Sequence, residues 1–300
     1  MYGPGNDADM PRMKPEMTAV ARDAAGPALP GGYRITPGRN APGPFVFASP
    51  HSGRFCPADL RARADLTPKA LHGTEDALVD RLIESGPDHG AVVIAGQIGR
   101  AYVDLNRDPA ELDPRLIDDV PDVPMSAKVA GGFGVLPRLG SDGLPLYDRT
   151  LPLHEARDRI ARVHTPYHTA LAGLMQTAQA RHGRAVLIDW HSMPARMNDG
   201  ATGPDVVLGD RFGTSCAAGL TRYLRAAFER LGWRVALNQP YSGGYSTRIW
   251  GRPDDGFNAI QIELNRGLYF DESTREPGPG WSRCVSGLER VITALCADAP

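Results

Sequence analysis

From Gly32 onward the chain alternates short apolar runs with stretches of helical period. The runs are "FVFAS" (Phe45–Ser49), "GAVVIAG" (Gly90–Gly96), "AYVDLN" (Ala101–Asn106), "AVLIDWHS" (Ala185–Ser192), "DVVLGD" (Asp205–Asp210), "RVALNQP" (Arg234–Pro240) and "AIQIEL" (Ala259–Leu264). Several are apolar at nearly every position, the pattern of strands covered on both faces. Between them, Thr74–Ser85 predicts a helix with Thr74 as its N-cap and acids in its first turn. Pro152–Gly183 predicts a long helix interrupted at Pro166 and closed by Gly183. Gly213–Trp233 and Gly280–Ala299 are amphipathic. The alternation implies an α/β fold, a three-layer sandwich in which a mostly parallel, mixed sheet carries helices on both faces. Residues 1–31 are rich in Pro, Gly, Met and charge without period, and predict a poorly ordered tail ahead of one domain over 32–300. The Gly- and Pro-rich span Asp108–Pro152 is too long for a connector and predicts an irregular insertion folded over a site.

Composition narrows the function. The formal net charge of -2 leaves no electrostatic footprint for nucleic acid or an anionic membrane. No run is long and apolar enough to span a bilayer, and the amino terminus lacks an apolar signal core, so a soluble, cytoplasmic protein is expected. Cys56, Cys216, Cys284 and Cys296 show no C-x-x-C spacing, which argues against a disulfide framework or a zinc knuckle. Cys56 lies five residues beyond His51, but no His-Asn partner pattern marks it as a nucleophile.

In open α/β sheets, ligands bind beyond the carboxyl ends of strands. The polar residues at the ends of the runs are His51 in "SPHSG", Asn106 and Arg107 in "DLNR", His191 and Ser192 in "DWHS", and Glu263 with Asn265 and Arg266 in "ELNR". Two imidazoles and one carboxylate make a three-ligand zinc site with a position left for water. Glu75 and Asp76 are the candidates for the third ligand; one would also serve the dipole of the helix expected there, and Asp76 is preferred. Glu263 suits a general base, its structural alternative being a buried carboxylate neutralised by Arg248 or Arg266. His164 and His168 are four apart, like the pair in H-E-x-x-H, but "TPY" between them lacks the glutamate. His168 remains a candidate pocket residue, and His164 a structural one. Arg100, Arg107, Arg138, Arg248 and Arg266 lie beside strand ends or in Gly-rich turns, in a chain whose lysines are only Lys14, Lys69 and Lys128. Arginine grips planar carboxylates through paired hydrogen bonds, so a carboxylate-bearing small molecule is the expected partner.

Taken in order, "SPHSG", "EDALVD", "YVDLNR", "PYH", "IDWHS", "GGYSTR" and "QIELNRGLY" resemble the N-formylglutamate amidohydrolase family over most of Phe45–Asp271. That family is similar to the zinc carboxypeptidase and aspartoacylase group, so the resemblance implies a zinc-carboxypeptidase-like fold. It implies one zinc ion on His51 and His191, Glu263 as general base, and Arg107 on a substrate carboxylate or the oxyanion. Asn106, Arg138, His168, Ser192 and Arg248 would line the substrate. The H-x-x-E of carboxypeptidases is absent, since Arg54 stands at its fourth position, and "TEDALVD" replaces the "DTDWHVD" of many members while keeping Asp76 in register. The expected function is metal-dependent hydrolysis of the N-formyl, or N-acyl, amide of a carboxylate-bearing amino acid, with N-formyl-L-glutamate as the first choice. The alternatives are a deacylase or carboxypeptidase acting on another N-acyl amino acid or peptide, and a non-catalytic dicarboxylate-binding protein.

Overall fold

The computed structural model describes residues 31–121, 124–196, 200 and 202–299, so the expected tail over 1–31 lies outside the described residues except for Gly31. One sheet of seven strands has the order β1-β3-β2-β4-β7-β5-β6. The strands are β1 (Tyr33–Thr36), β2 (Phe45–Ser49), β3 (Val92–Gly96), β4 (Ala185–Met193), β5 (Val206–Gly209), β6 (Val235–Leu237) and β7 (Phe257–Asn265). β3, β2, β4 and β7 run parallel. β1 opposes β3, β5 opposes β7, and β6 runs parallel to β5. A small ribbon pairs β8 (Phe270–Asp271) with β9 (Glu276–Pro277).

The helices in chain order are α1 (Pro68–His72), α2 (Val79–Leu82), α3 (Ala127–Ala130), α4 (Leu153–Arg159), α5 (Thr165–His182), α6 (Ala218–Glu229), α7 (Tyr245–Trp250) and α8 (Trp281–Asp298). Successive strand side chains point to opposite faces, and in the central strands both sets are apolar. Phe45, Phe47, Val186, Ile188, Trp190, Ile260, Ile262 and Leu264 meet α2, α6 and α8 in one core. Val46, Ala48, Ala185, Leu187 and Ala259 meet α4, α5 and α7 in the other. The near-continuous hydrophobicity of these strands thus fills two cores, one on each side of the sheet.

Three expected elements differ. Residues 101–106 are turns, not a strand: Tyr102 N–H bonds back to the Gly99 carbonyl at 2.9 Å, and the Asp104 carboxylate takes the Asn106 N–H at 2.9 Å. The helix expected over 74–85 is reduced to α2, because Leu78 adopts a left-handed φ of 65° and breaks the helical path ahead of it. The long helix does form, but as α4 and α5 joined by a wider π turn over Ile160–His164 that leads into Pro166. Gly183 closes it at φ 69°, as a helix-ending glycine does. The 108–152 span holds α3 and otherwise irregular chain. No helix among the described residues is long and apolar enough to cross a membrane.

Candidate active site

β2, β4 and β7 lie side by side and parallel, so their carboxyl ends open on one edge. Beyond β2 the chain turns sharply, and Gly53 leaves no room for a Cβ against the backbone of Gln97 and Ile98. That turn holds His51, only 2% exposed, where its ring lies 4.9 Å from that of His191 on β4. The two Nδ1 atoms face the same oxygen, Asp76 Oδ2, at 3.2 Å from His51 and 2.9 Å from His191. Asp76 is brought there by backbone: its N–H donates to the His51 carbonyl at 2.9 Å. Arg266 fixes the same segment by donating to the carbonyls of Gly73 and Glu75 at 3.1 and 2.7 Å. Glu75 turns away and pairs with His72 at 2.7 Å and Arg275 at 3.0 Å. Of the two acids considered, Asp76 is therefore the one that meets the histidines.

Donor atoms of His51, Asp76 and His191 all lie within 4.8 Å of one another, and all three residues are buried. A carboxylate and two imidazole nitrogens converging from separate segments suit a zinc-like divalent ion. The distal nitrogen of His51 fits the same use, since an imidazole ligating through Nδ1 carries its proton on Nε2. His51 Nε2 lies 2.6 Å from Asp104 Oδ1, a carboxylate also held by Arg100 Nε at 2.9 Å. His191 Nε2 lies 3.1 Å from Asp189 Oδ2, yet neither oxygen of this fully buried acid has a hydrogen-bond partner among the described residues.

Charge in the cluster is sharply divided. Burial opposes the charged form of Asp76, but hydrogen bonds from His191 and His51 hold its carboxyl well below the ordinary carboxylate range. Burial likewise disfavours a cationic His191, and Asp189 and Asp76 overcome it, raising that imidazole well above its usual value. Glu263 sits opposite His191 in the β4–β7 register. Burial, opposed by His191 and assisted by the Asp76 charge, pushes its carboxyl up to about 7. Gln261 Nε2 donates to Glu263 Oε1 at 2.7 Å and leaves its own oxygen to Asn106 Nδ2 at 3.3 Å.

The other expected residues fall into two groups. Asn106, Arg107 and Arg248 line a cleft of about 770 Å³ beside the cluster, and Asn106 Nδ2 stands 3.0 Å from His191 Nε2. Ser192, Arg138 and His168 do not line that cleft and bond within the protein. Ser192 Oγ donates to Asp76 Oδ1 at 2.9 Å and accepts from Arg266 Nε at 3.1 Å. Arg138 pairs with buried Asp113 at 2.9 Å. His168 Nε2 bonds the Leu105 carbonyl at 2.8 Å, and His164 Nε2 that of Arg107 at 2.9 Å, so this pair braces the segment bearing Asn106. Burial pushes His168 down to about 3, which keeps that brace neutral. Cys56 carries no reactive thiolate, because burial and then Glu75 push its thiol up to about 11.

Sequence reasoning passed over Asp104, Asp189 and Gln261. A period of two marks Asp189 and Gln261, each two residues before a site residue on the same strand face. Nothing comparable marks Asp104, whose partner His51 is 53 residues away.

The molecule so described is an α/β protein with a polar, ion-ready cluster at the carboxyl edge of a mixed sheet, which is the usual place for chemistry in such folds. Residues 43–270 match the family N-formylglutamate amidohydrolase, and the chain belongs to that family. It is 33% identical over 237 residues to the N-formylglutamate deformylase of Pseudomonas aeruginosa, covering 76% of this chain and 83% of that one. The Pseudomonas putida deformylase is 30% identical over 236 residues, covering 77% and 83%. The crystal structure of an N-formylglutamate amidohydrolase from Ralstonia eutropha JMP134 superposes with a TM-score of 0.84 at 32% identity, over 90% of this chain and 98% of the other.

Proposed function

We propose that this protein hydrolyses N-formyl-L-glutamate, adding water across the formyl amide to give formate and glutamate, and that it uses zinc to do so. The observation that carries this reading is the convergence of His51, Asp76 and His191, with Glu263 facing His191 across the strand pair. His51, Asp76 and His191 would hold the ion, which supplies Lewis acidity and eases deprotonation of water. Glu263 takes a proton from the attacking water as its oxygen reaches the formyl carbon, and returns a proton to the departing amine nitrogen. Without an ion, burial raises this carboxyl to about 7, and a bound cation would favour the ionised form that accepts the proton. Arg107, at the cleft wall, steadies the developing oxyanion or the neighbouring carboxylate. Asn106 and Arg248 orient the substrate from the same wall. Ser192 supports this scheme by fixing Asp76, and His168 by bracing Leu105. Arg138 acts through Asp113, which it holds in the insertion. The deformylase activity named for the Pseudomonas relatives, and the amidohydrolase named for the Ralstonia structure, support the same assignment.

The test is metal content measured beside formate release from N-formyl-L-glutamate, with chelator and after zinc is restored. One bound ion, activity lost on chelation and regained with zinc are expected. Full activity in metal-free protein would remove the ion from the scheme, and no formate release from the zinc-loaded protein would remove the substrate.

A further inference from the structure

Among the described residues, the cleft beside the cluster contains more positive charge than its own acids neutralise. Of its acids, Asp108 accepts from Ala110 N at 2.9 Å and pairs with Arg248. Glu111 accepts from Ser126 Oγ at 2.6 Å and from Asp108 N at 3.2 Å, so both of its oxygens are used. Of the cations, Arg107 donates to the carbonyls of Phe133 and Asn106 at 2.9 and 3.0 Å. Lys128, on α3, and Arg211, in the turn after β5, also line the cleft, and neither pairs with an acid or donates a side-chain hydrogen bond among the described residues.

Arg211 is also held in place at a cost. It sits at φ 52° and Phe212 at φ 58°, left-handed conformations that a non-glycine residue keeps only where the surroundings enforce them. The enforcing contacts are Arg211 N–H to the Ser242 carbonyl at 2.8 Å, and Asn238 Oδ1 accepting from Asp210 N and Phe212 N at 3.1 and 3.2 Å. A Cβ on Gly243 would come within 3.1 Å of Arg211 Cγ, so the stem of this side chain lies close against the backbone of the opposite turn. Two uncompensated cations in a concave site draw an anion.

We propose that Lys128 and Arg211 form the subsite for the substrate's side-chain carboxylate, and so set a preference for an acidic over a neutral N-formyl amino acid. The proposal rests on the hydrolase reading above. It assigns specificity to two residues that lie apart from the ion-binding cluster, one from the insertion and one from the sheet edge. N-formyl-L-glutamine has nearly the same shape as N-formyl-L-glutamate but a neutral end, so comparing the two isolates the charge.

The experiment measures kcat/KM for both compounds with zinc-loaded wild type, Lys128→Met, Arg211→Met, the double variant and Lys128→Arg. Calorimetric binding of L-glutamate and L-glutamine is measured on the same proteins. Wild type is expected to prefer the acidic member of each pair by at least about tenfold, the worth of one hydrogen bond to a charged group. Each Met variant lowers the value for formylglutamate by about tenfold, mainly through KM, and leaves that for formylglutamine within about threefold. Lys128→Arg keeps the preference. Equal treatment of both ligands by wild type overturns the proposal, as does a double variant that still discriminates or that loses both substrates alike. Should neither formyl compound be hydrolysed, the hydrolase reading fails, and the binding arm still decides for or against the carboxylate subsite.

Discussion

Replacing Glu263 by glutamine separates what this carboxylate does for catalysis from what it costs the fold. The side chain is 6% exposed, and its carboxyl moves from an ordinary 4.5 to about 7 in the folded, metal-free protein. At about 1.36 kcal/mol per pH unit, that displacement is a penalty of about 3 kcal/mol once both folded and unfolded chains are ionised. Because the folded value is raised, the group's contribution to stability is full below 4.5, is lost as pH rises to 7, and stays lost above it. Glutamine has the same shape, keeps an oxygen to accept from Gln261 Nε2, and carries no charge. Urea unfolding in chelator should therefore show Glu263→Gln more stable than wild type by up to about 3 kcal/mol at pH 8. The gain should shrink below about 1 kcal/mol at pH 5. The same variant, loaded with zinc, should release formate at least about 100-fold more slowly, the usual worth of a general base. A variant no more stable than wild type at pH 8, or a gain independent of pH, would refute the claim that burial strains this carboxylate. Unchanged turnover would remove it from the reaction.

Three other contacts carry expected outcomes of their own. Asp104→Asn weakens the partner that sets the His51 tautomer, and zinc affinity measured by chelator competition should fall by about 10- to 100-fold. Gly244→Ala places a methyl group onto the buried Asn106 amide, which must shift to admit it, so kcat/KM should drop by at least about tenfold. Arg159→Met removes a fully buried guanidinium that donates to Tyr147 Oη at 2.8 Å and to Glu155 at 2.6 Å; chemical denaturation should show a loss of about 3 kcal/mol with zinc affinity unchanged.

The strands that carry the site were legible because burial on both faces writes itself as unbroken hydrophobicity, and the polar residue that ends each run is conspicuous. Phe45–Ser49, Ala185–Met193 and Phe257–Asn265 all form, and the positions of His51, His191 and Glu263 are set by their ends. Residues 101–106 misled because "AYVDL" is a short apolar run like those of the strands, whereas its backbone is satisfied by the Asp104 carboxylate and the Gly99 carbonyl. The 74–85 segment misled for a different reason. Its acids looked like helix-start residues, but the chain there is shaped by Arg266 and the His51 carbonyl, which are distant or backbone partners that no local pattern records. Side-chain commitments such as Arg138 to Asp113, or His168 to Leu105, join residues 25 and 63 positions apart and are equally invisible locally.

The wide turn at Ile160–His164 sets a rule for anyone recombining this chain with a homologue. An extra residue in that turn leaves α4 and α5 out of phase by about 100° relative to one regular helix. Deleting a single residue there would rotate Tyr167, Leu171 and Met175 away from the sheet they cover, or else turn Ala156 and Arg159 out of their pockets. Crossover points in chimeras should therefore lie outside 153–182, so that both halves of the phase shift travel together.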